Sequence, residues 1–508
     1  MKKLLISGEL LTWENLAPLL KEPMVVRLTP DSRKTLKLSH RRFIKILAGD
    51  RKIYGVTTGF GKLSQISISK NDRRLLQLNL VRSHAAGVGR PLSLGITRVV
   101  MVLKILTFIK GYSGVRPELV QLMLDLLKHD ILPLMPRKGS VGASGDLAPL
   151  AHLGLALIGE GLVHYQNREM PSMLALKEAG LKPLELEEKE GLSLVNGTQV
   201  SSALAIRALA ESKNILNTAD ISGALSTEAS LSSRAVFRSD IHALKLHPGQ
   251  QQTAENVWNL LDDSKIVSSH HDCERIQDPY SIRCIPHVHG TGRDIFSAVE
   301  KIINNEINSI SDNPLILKNG EIVNSGHFHG EPIAQAMDCL AISMAEIGAI
   351  SERRIHYFMK GIEPDIPPFA ALNPGLESGL MMVHVTATAL ASENKTLTHP
   401  ASVDSISSSA GQEDFVSMAP WAGRKCHKVA KNVITILAVE LLVGTSVNLR
   451  FHKTLKPGIG IRPVINLIKR HLNFSRGDHE YSRDLKIIFD LIYSGKIVNS
   501  VKKIINWE

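Results

Sequence analysis

Small residues crowd one stretch of the chain, Gly139-Ser140-Val141-Gly142-Ala143-Ser144-Gly145-Asp146-Leu147-Ala148-Pro149-Leu150. Asp146 suits the N-cap of a following helix, and Pro149 is tolerated in a first turn. Taken alone, this is a glycine-rich helix entry with an anion site at the helix N-terminus. The residue order also permits backbone chemistry. If the Gly145 nitrogen attacks the Ala143 carbonyl carbon, a five-membered ring closes. Loss of two waters, one carrying the Ser144 hydroxyl, leaves a 4-methylidene-imidazol-5-one. Gly145 has no Cβ to hold its nitrogen away, Ser144 supplies the departing hydroxyl, and Ala143 is small enough for a compressed turn that its surroundings must hold. The product is an electrophile that no ordinary side chain provides, placed near the positive end of a helix dipole.

A second glycine-rich loop, Tyr54-Gly55-Val56-Thr57-Thr58-Gly59-Phe60-Gly61, also invites close backbone approach to a ligand. Further polar segments are Leu194-Val195-Asn196-Gly197-Thr198, Gln277-Asp278-Pro279-Tyr280-Ser281-Ile282-Arg283-Cys284 and Gly326-His327-Phe328-His329-Gly330-Glu331-Pro332. Alone these are turns, surface salt bridges and loop histidines. Together with the Ala-Ser-Gly triad, from about residue 50 to residue 450, they resemble the aromatic amino acid ammonia-lyases and aminomutases, which use this self-made ring and need no external cofactor. The resemblance implies that Tyr54 is the base taking a proton from the substrate β-carbon. A tyrosine titrates near ~10, so positive charge or hydrogen bonds would have to stabilise its anion, and Gly55, Gly59 and Gly61 would let its loop act as a lid. It further implies that Asn196 meets the substrate amine or the ring carbonyl, that Arg283 grips the α-carboxylate with Gln277 and Tyr280 beside it, and that Phe328 packs next to the ring.

Two positions point to the histidine branch of that family. His84 follows Ser83 in Asn79-Leu80-Val81-Arg82-Ser83-His84, and Glu413 is an acid in Gly411-Gln412-Glu413-Asp414-Phe415 where other branches carry an amide. An imidazole offers a donor and an acceptor nitrogen; Glu413 would accept from one end, His84 would bond the other, and Met381 would pack on the ring face. A phenyl ring would strand a buried carboxylate. The implied reaction is L-histidine to trans-urocanate and ammonia, in a homotetramer whose active sites draw on three subunits. A 2,3-aminomutase, a phenylalanine or tyrosine lyase, a fumarase-type lyase with a catalytic loop at Met135-Pro136-Arg137-Lys138, and a silent binding protein are the alternatives. His287, His289, His327, His384, Gly411 and Phe415 depart from the branch pattern, and the two H-x-H pairs read as loop histidines rather than metal ligands.

The elements that must carry these residues are helices. Aromatics make up 5% of the 508 residues, so the core is aliphatic. In Pro332 to Phe358, Ile333, Met337, Leu340, Met344 and Ile347 recur on one helical face, and similar stretches cover 292–308, 376–395 and 427–447. Alternation is short, as at Glu321-Ile322-Val323. The fold is expected to be mainly α, with an N-terminal loop-rich domain (1–197) carrying the ring and a long-helix bundle (198–508), the architecture of the fumarase/aspartase superfamily that the resemblance implies. Four cysteines without a C-x-x-C pair are expected to be reduced thiols. Glu9 and Glu14 interrupt the apolar start, so no signal peptide is expected. Nor is a charge-free membrane span expected, which points to a cytoplasmic protein. The net charge of +11 comes from dispersed Lys and Arg, with Lys486, Lys496, Lys502 and Lys503 on a solvated amphipathic face, so no nucleic-acid partner is expected.

Overall fold

The structure, a computed structural model, describes residues 2–270, 275–362 and 364–507. Helices dominate, and the chain is mainly α. Strands are short: Lys3–Ile6 pairs in parallel with Val25–Leu28, Val88–Pro91 runs antiparallel to Pro136–Lys138, and Leu162–Tyr165 lies between Leu132–Pro133 and Arg168–Pro171. Ile322–Val323 is a strand where alternation placed one, paired with Leu315–Ile316.

The long helices are Gln199–Ala229, Ile285–Ile307, Glu331–Met359 and Ala419–Phe451. In Glu331–Met359 the stripe Ile333, Met337, Leu340, Met344 and Ile347 is fully buried, as periodicity requires. The stretch expected to be helical from 376 begins only at Met381 and runs to Leu397. Asn373-Pro374-Gly375 breaks the chain before it, and residues 371–380 form turns. Glu331–Met359 and Ala419–Phe451 are long and apolar enough to cross a membrane, but neither is free of charge, being interrupted by Asp338, Glu346 and Glu352 and by Lys431 and Glu440; 56% and 83% of their apolar windows are buried inside the protein.

Two compact units divide the chain. One comprises Met1–Arg207, Glu300–Asp338 and Pro400–Arg424; the other comprises Ala208–Val299, Cys339–His399 and Lys425–Glu508. In the first, helix Leu94–Ile109 is buried from Gly95 to Ile109 on every side. Its Arg98 is paired in two-pronged fashion with Asp130 at 2.7 and 2.8 Å. In the second unit, Arg354 binds Glu440 through Nε at 2.5 Å and Nη2 at 3.0 Å. At its C-terminal end, helices Tyr481–Tyr493 and Lys496–Val501 bury Ile488, Leu491, Ile492, Ile497, Val498 and Val501 and expose Lys486 and Lys496, the expected amphipathic pattern. Cys284, Cys339 and Cys426 form no disulfide among the described residues; Cys273 lies outside them.

Candidate active site

Helix Leu147–Leu157 follows the Ala-Ser-Gly triad, and Asp146 occupies its N-cap position. The Asp146 side chain, however, does not cap its own helix. Its carboxylate accepts from the Ser201 N–H at 2.8 Å and the Ser201 hydroxyl at 2.7 Å, in the first turn of Gln199–Ala229. It therefore satisfies an orphan donor of a different helix. Full burial pushes this carboxyl up to about 6, against the Ser201 bonds that favour the charged form.

The triad is clamped on both sides. The Gly197 N–H donates to Ser144 O at 3.3 Å, and the Asp146 N–H donates to Gly197 O at 2.8 Å. On the other side the Met418 N–H reaches Val141 O at 2.8 Å and the Ser417 hydroxyl reaches Gly142 O at 3.2 Å. Gly145 sits at φ +78°, and a Cβ there would stand 2.2 Å from Gly197 O. Only glycine fits this cradle, as a ring closed through the Gly145 nitrogen requires.

A cavity of about 920 Å³ in the first unit opens over the triad. Tyr54, His84, Ala143, Ser144, Asn196, Phe328 and Glu413 line it, together with Phe60, Lys62, Asn313, His329 and Phe415. Gly145 is buried behind Ser144. Gln277, Tyr280, Arg283 and Met381 belong to the second unit and are not in this lining. There, Arg283 Nε donates to Asp278 O at 2.8 Å and its guanidinium lies 4.8 Å from the Tyr280 ring centre. Tyr280 is 72% exposed. Gln277 is exposed, and Met381 is half-buried at the start of its helix.

Glu413 is the most heavily engaged acid of the cavity. Its Oε1 accepts from the Ser144 hydroxyl at 3.1 Å, and its Oε2 accepts from Ser408 at 2.6 Å and Ser409 at 2.7 Å. A left-handed turn carries it: Ser409, Ala410 and Gly411 have φ +50°, +55° and +83°. Gly411 thus departs from the branch pattern at a position whose backbone glycine adopts without strain.

The Tyr54 hydroxyl accepts from the Gly61 N–H at 2.8 Å. Burial raises its pKa, the Gly61 bond opposes that, and the nearby Glu413 charge raises it further. Of the two stabilisers expected for a tyrosinate, the hydrogen bond is present in the Gly61 N–H, whereas the charge acting on Tyr54 is that of an acid, Glu413. His84 Nδ1 lies 2.9 Å from Leu80 O. A carbonyl accepts, so Nδ1 carries the hydrogen and a neutral His84 keeps Nε2 as an acceptor. Burial lowers its pKa, outweighing Leu80 and Glu413. Asn196 is buried, and its amide nitrogen faces two carbonyl oxygens, Leu192 at 3.0 Å and Asn313 at 3.3 Å. Both amide hydrogens are thereby engaged, which leaves Oδ1 as the acceptor end.

The remaining departures find ordinary surroundings. His289 Nδ1 meets Asp220 at 2.9 Å and His384 meets Glu352 at 2.9 Å, both within the second unit. His242 and His287 rings lie 5.9 Å apart. His327 is exposed, and Phe415 stacks on His329 with centroids 6.1 Å apart. Among the described residues no three His, Cys, Asp or Glu side chains are grouped to hold a metal ion. Sequence reasoning missed Ser408, Ser409 and Asn313; the serine run Ser405-Ile406-Ser407-Ser408-Ser409 was the available signal for the first two.

The family model for aromatic amino acid lyases matches residues 11–470. The chain is 42% identical over 501 residues to the histidine ammonia-lyase of Myxococcus xanthus, covering 98% of each chain. It is similar to the crystal structure of histidine ammonia-lyase from Trypanosoma cruzi, with TM-score 0.91, 36% identity and coverage of 99% and 96%. It is similar also to tyrosine aminomutase from Streptomyces globisporus, with TM-score 0.93, 32% identity and 99% of each chain covered.

Proposed function

The chain belongs to the aromatic amino acid lyase family, and from that premise we propose that it eliminates ammonia from L-histidine to give trans-urocanate. The observation that carries the choice of substrate is the carboxylate of Glu413 in the cavity that also holds Ser144 and His84. Glu413 and His84 Nε2 are both acceptors; a neutral imidazole donates its one N–H to Glu413, and the protonated ring, which the carboxylate favours, donates to both. Phenylalanine has nothing to give either group and would leave Glu413 Oε1 without a donor once the Ser144 hydroxyl is gone.

The residues of the triad fit the family's ring: the loop is clamped, Gly145 alone fits its place, and the Ser144 hydroxyl faces the cavity. When formed, the ring supplies an electrophilic methylidene carbon. The other residues bind, orient and move protons. Asn196 Oδ1 accepts from the substrate amine; with both its amide hydrogens engaged, it has none for a ring carbonyl. Tyr54 Oη, having given its own proton to solvent, takes the β-proton as the tyrosinate, and the Gly61 N–H steadies that anion before the transfer. Glu413 Oε1 holds the imidazole once the Ser144 hydroxyl is gone, while Ser408 and Ser409 keep Oε2 in place. Phe328 lines the wall beside the triad. We assign carboxylate binding to Arg283, with Gln277 and Tyr280, and packing on the imidazole to Met381. In our reading these reach the site from other copies of the chain in a cytoplasmic homotetramer.

An aminomutase would share the fold and the ring, so the product decides. Purified protein is mixed with L-histidine, L-phenylalanine or L-tyrosine and followed by ultraviolet absorbance. A urocanate band with histidine alone is expected. A β-amino acid product, or equal turnover of phenylalanine, overturns the proposal.

A further inference from the structure

Lys104 has no part in the chemistry described so far. It stands on the buried helix Leu94–Ile109 and is itself fully buried. Lys189 nearby meets Asp312 at 3.1 Å. Lys104 contacts no carboxylate among the described residues; its ammonium donates to Asn196 O and, at 3.3 Å, to Gln199 Oε1. A buried cation held by two amide oxygens and the face of the Phe108 ring, 5.3 Å from its centre, is costly to keep, and two further bonds hold Gln199 in register. The Gln199 amide nitrogen donates to Thr107 at 3.1 Å, one turn along the same helix, and to Ser311 at 3.0 Å.

The Asn196 carbonyl and the Gly197 N–H belong to one peptide. An ammonium on the carbonyl draws electrons from the nitrogen and makes the N–H a stronger donor. That N–H donates to Ser144 O at 3.3 Å. In ring closure the Gly145 nitrogen bonds to the Ala143 carbon. One water leaves with the Ala143 carbonyl oxygen and the amide hydrogens of Ser144 and Gly145; the other leaves with the Ser144 hydroxyl and its Cα hydrogen. The Ser144 carbonyl survives as the ring carbonyl, conjugated with the methylidene, so a donor on its oxygen withdraws electrons from the reactive carbon.

We propose that Lys104 is a positioning residue that acts through the Asn196–Gly197 peptide to polarise the Ser144 carbonyl and set the strength of the electrophile. This rests on the ring assigned above. Burial brings Lys104 down to about 7, with Asp312 and Asp146 favouring its charge and Lys189 opposing it. Its charge, and with it the polarisation, therefore changes near neutral pH.

Three readouts on the full-length protein test this. Intact mass reports closure, because the closed chain is two waters lighter. The ultraviolet band of the substrate-free protein, titrated through neutral pH, should shift with a midpoint near that of Lys104. Lys104→Met should remove this shift, leaving any contribution from His84 or Asp146, and should lower kcat about tenfold with KM little changed. Lys104→Gln, which keeps an uncharged donor, should recover part of the rate but not the titration. A two-waters-lighter Lys104→Met with the parent's spectrum and kcat overturns the proposal. If neither variant folds, a parent band that is flat through neutral pH overturns it. A parent at full mass overturns the ring assignment itself, and this inference with it.

Discussion

In the second unit, buried Glu440 receives both prongs of Arg354 and the hydroxyls of Ser222, Ser226 and Ser351. Asp220 receives Arg293 at 2.5 Å, His289 at 2.9 Å and Asn256 at 2.9 Å. Burial, the largest single effect, would raise both carboxyls, yet Arg293 and Arg354 together with the hydrogen bonds of His289, Asn256, Ser351 and Ser226 outweigh it and lower both. Two buried charges behind the triad in the first unit are held differently, although Lys189 and Asp312 in the same unit make a balanced buried pair at 3.1 Å. Asp146 is held by neutral donors and Lys104 by neutral acceptors, so burial wins and brings them to about 6 and about 7. Opposite charge in contact makes a cluster that resists titration and serves the fold. Charge held chiefly by dipoles leaves a group near its titration point, as behind the candidate active site and also at Glu228 of the second unit, which Gly458, Ser264 and Asn448 hold and burial pushes up to about 7.

The sharpest way to break this contrast is at the triad. Ser144→Ala should lower histidine turnover at least ~10⁴-fold, above about 5 kcal/mol of barrier, while the urea midpoint hardly moves; an active variant would falsify the ring assignment. Next comes the balanced cluster. Arg354→Met leaves Glu440 buried and uncompensated, and should cost about 3–5 kcal/mol in urea unfolding. The double change Arg354→Met with Glu440→Leu should regain much of that loss; failure to regain it would mean that shape, not charge, holds the site. Glu413→Gln keeps the outline of the side chain but not its charge. It should lower kcat/KM for histidine about 10²-fold, near 2.7 kcal/mol, with unfolding changed by less than about 1 kcal/mol; equal activity of parent and variant removes the account of specificity.

The smallest effect is a pH dependence of stability. The Asp220 and Glu440 carboxyls lie below their unfolded values. Their contribution is full above about pH 4–5 and is lost as pH falls through the folded values. The Lys104 value lies below its unfolded one, so between about 7 and 10.4 the unfolded chain binds more protons. The penalty for burying it is thus relieved as pH rises through that window. Unfolding of the parent, measured against Lys104→Met, should gain about 1 kcal/mol per pH unit from pH 7 to 9. A difference that stays constant with pH would place Lys104 with the balanced cluster instead.

Much of this was legible in the chain. The helical stripe from Ile333 to Ile347 repeats locally, and local repetition survives into the fold because each turn buries the same face. The start of helix Met381–Leu397 was placed early because the pattern carried the helix back to 376, into the turns that follow Asn373-Pro374-Gly375. At the site, Tyr54, His84, Asn196, Phe328 and Glu413 were each marked by a segment of distinctive residues, and they line one cavity. Ser408 and Ser409 were not marked, since hydroxyl side chains are common in turns and only the position of Glu413 makes these two matter.

The residue order alone determined that Ala143, Ser144 and Gly145 can form a ring, because cyclisation joins atoms that are neighbours along the backbone. It also determined where the long helices lie, because amphipathic periodicity is a local property. Only the tertiary structure decided that Asp146 caps a helix 55 residues away instead of its own, that the charge of Glu413 acts on Tyr54, and that Lys104 lies beneath the Asn196 carbonyl. Those pairings depend on which distant segments meet, and on how completely burial strips water from the groups that do.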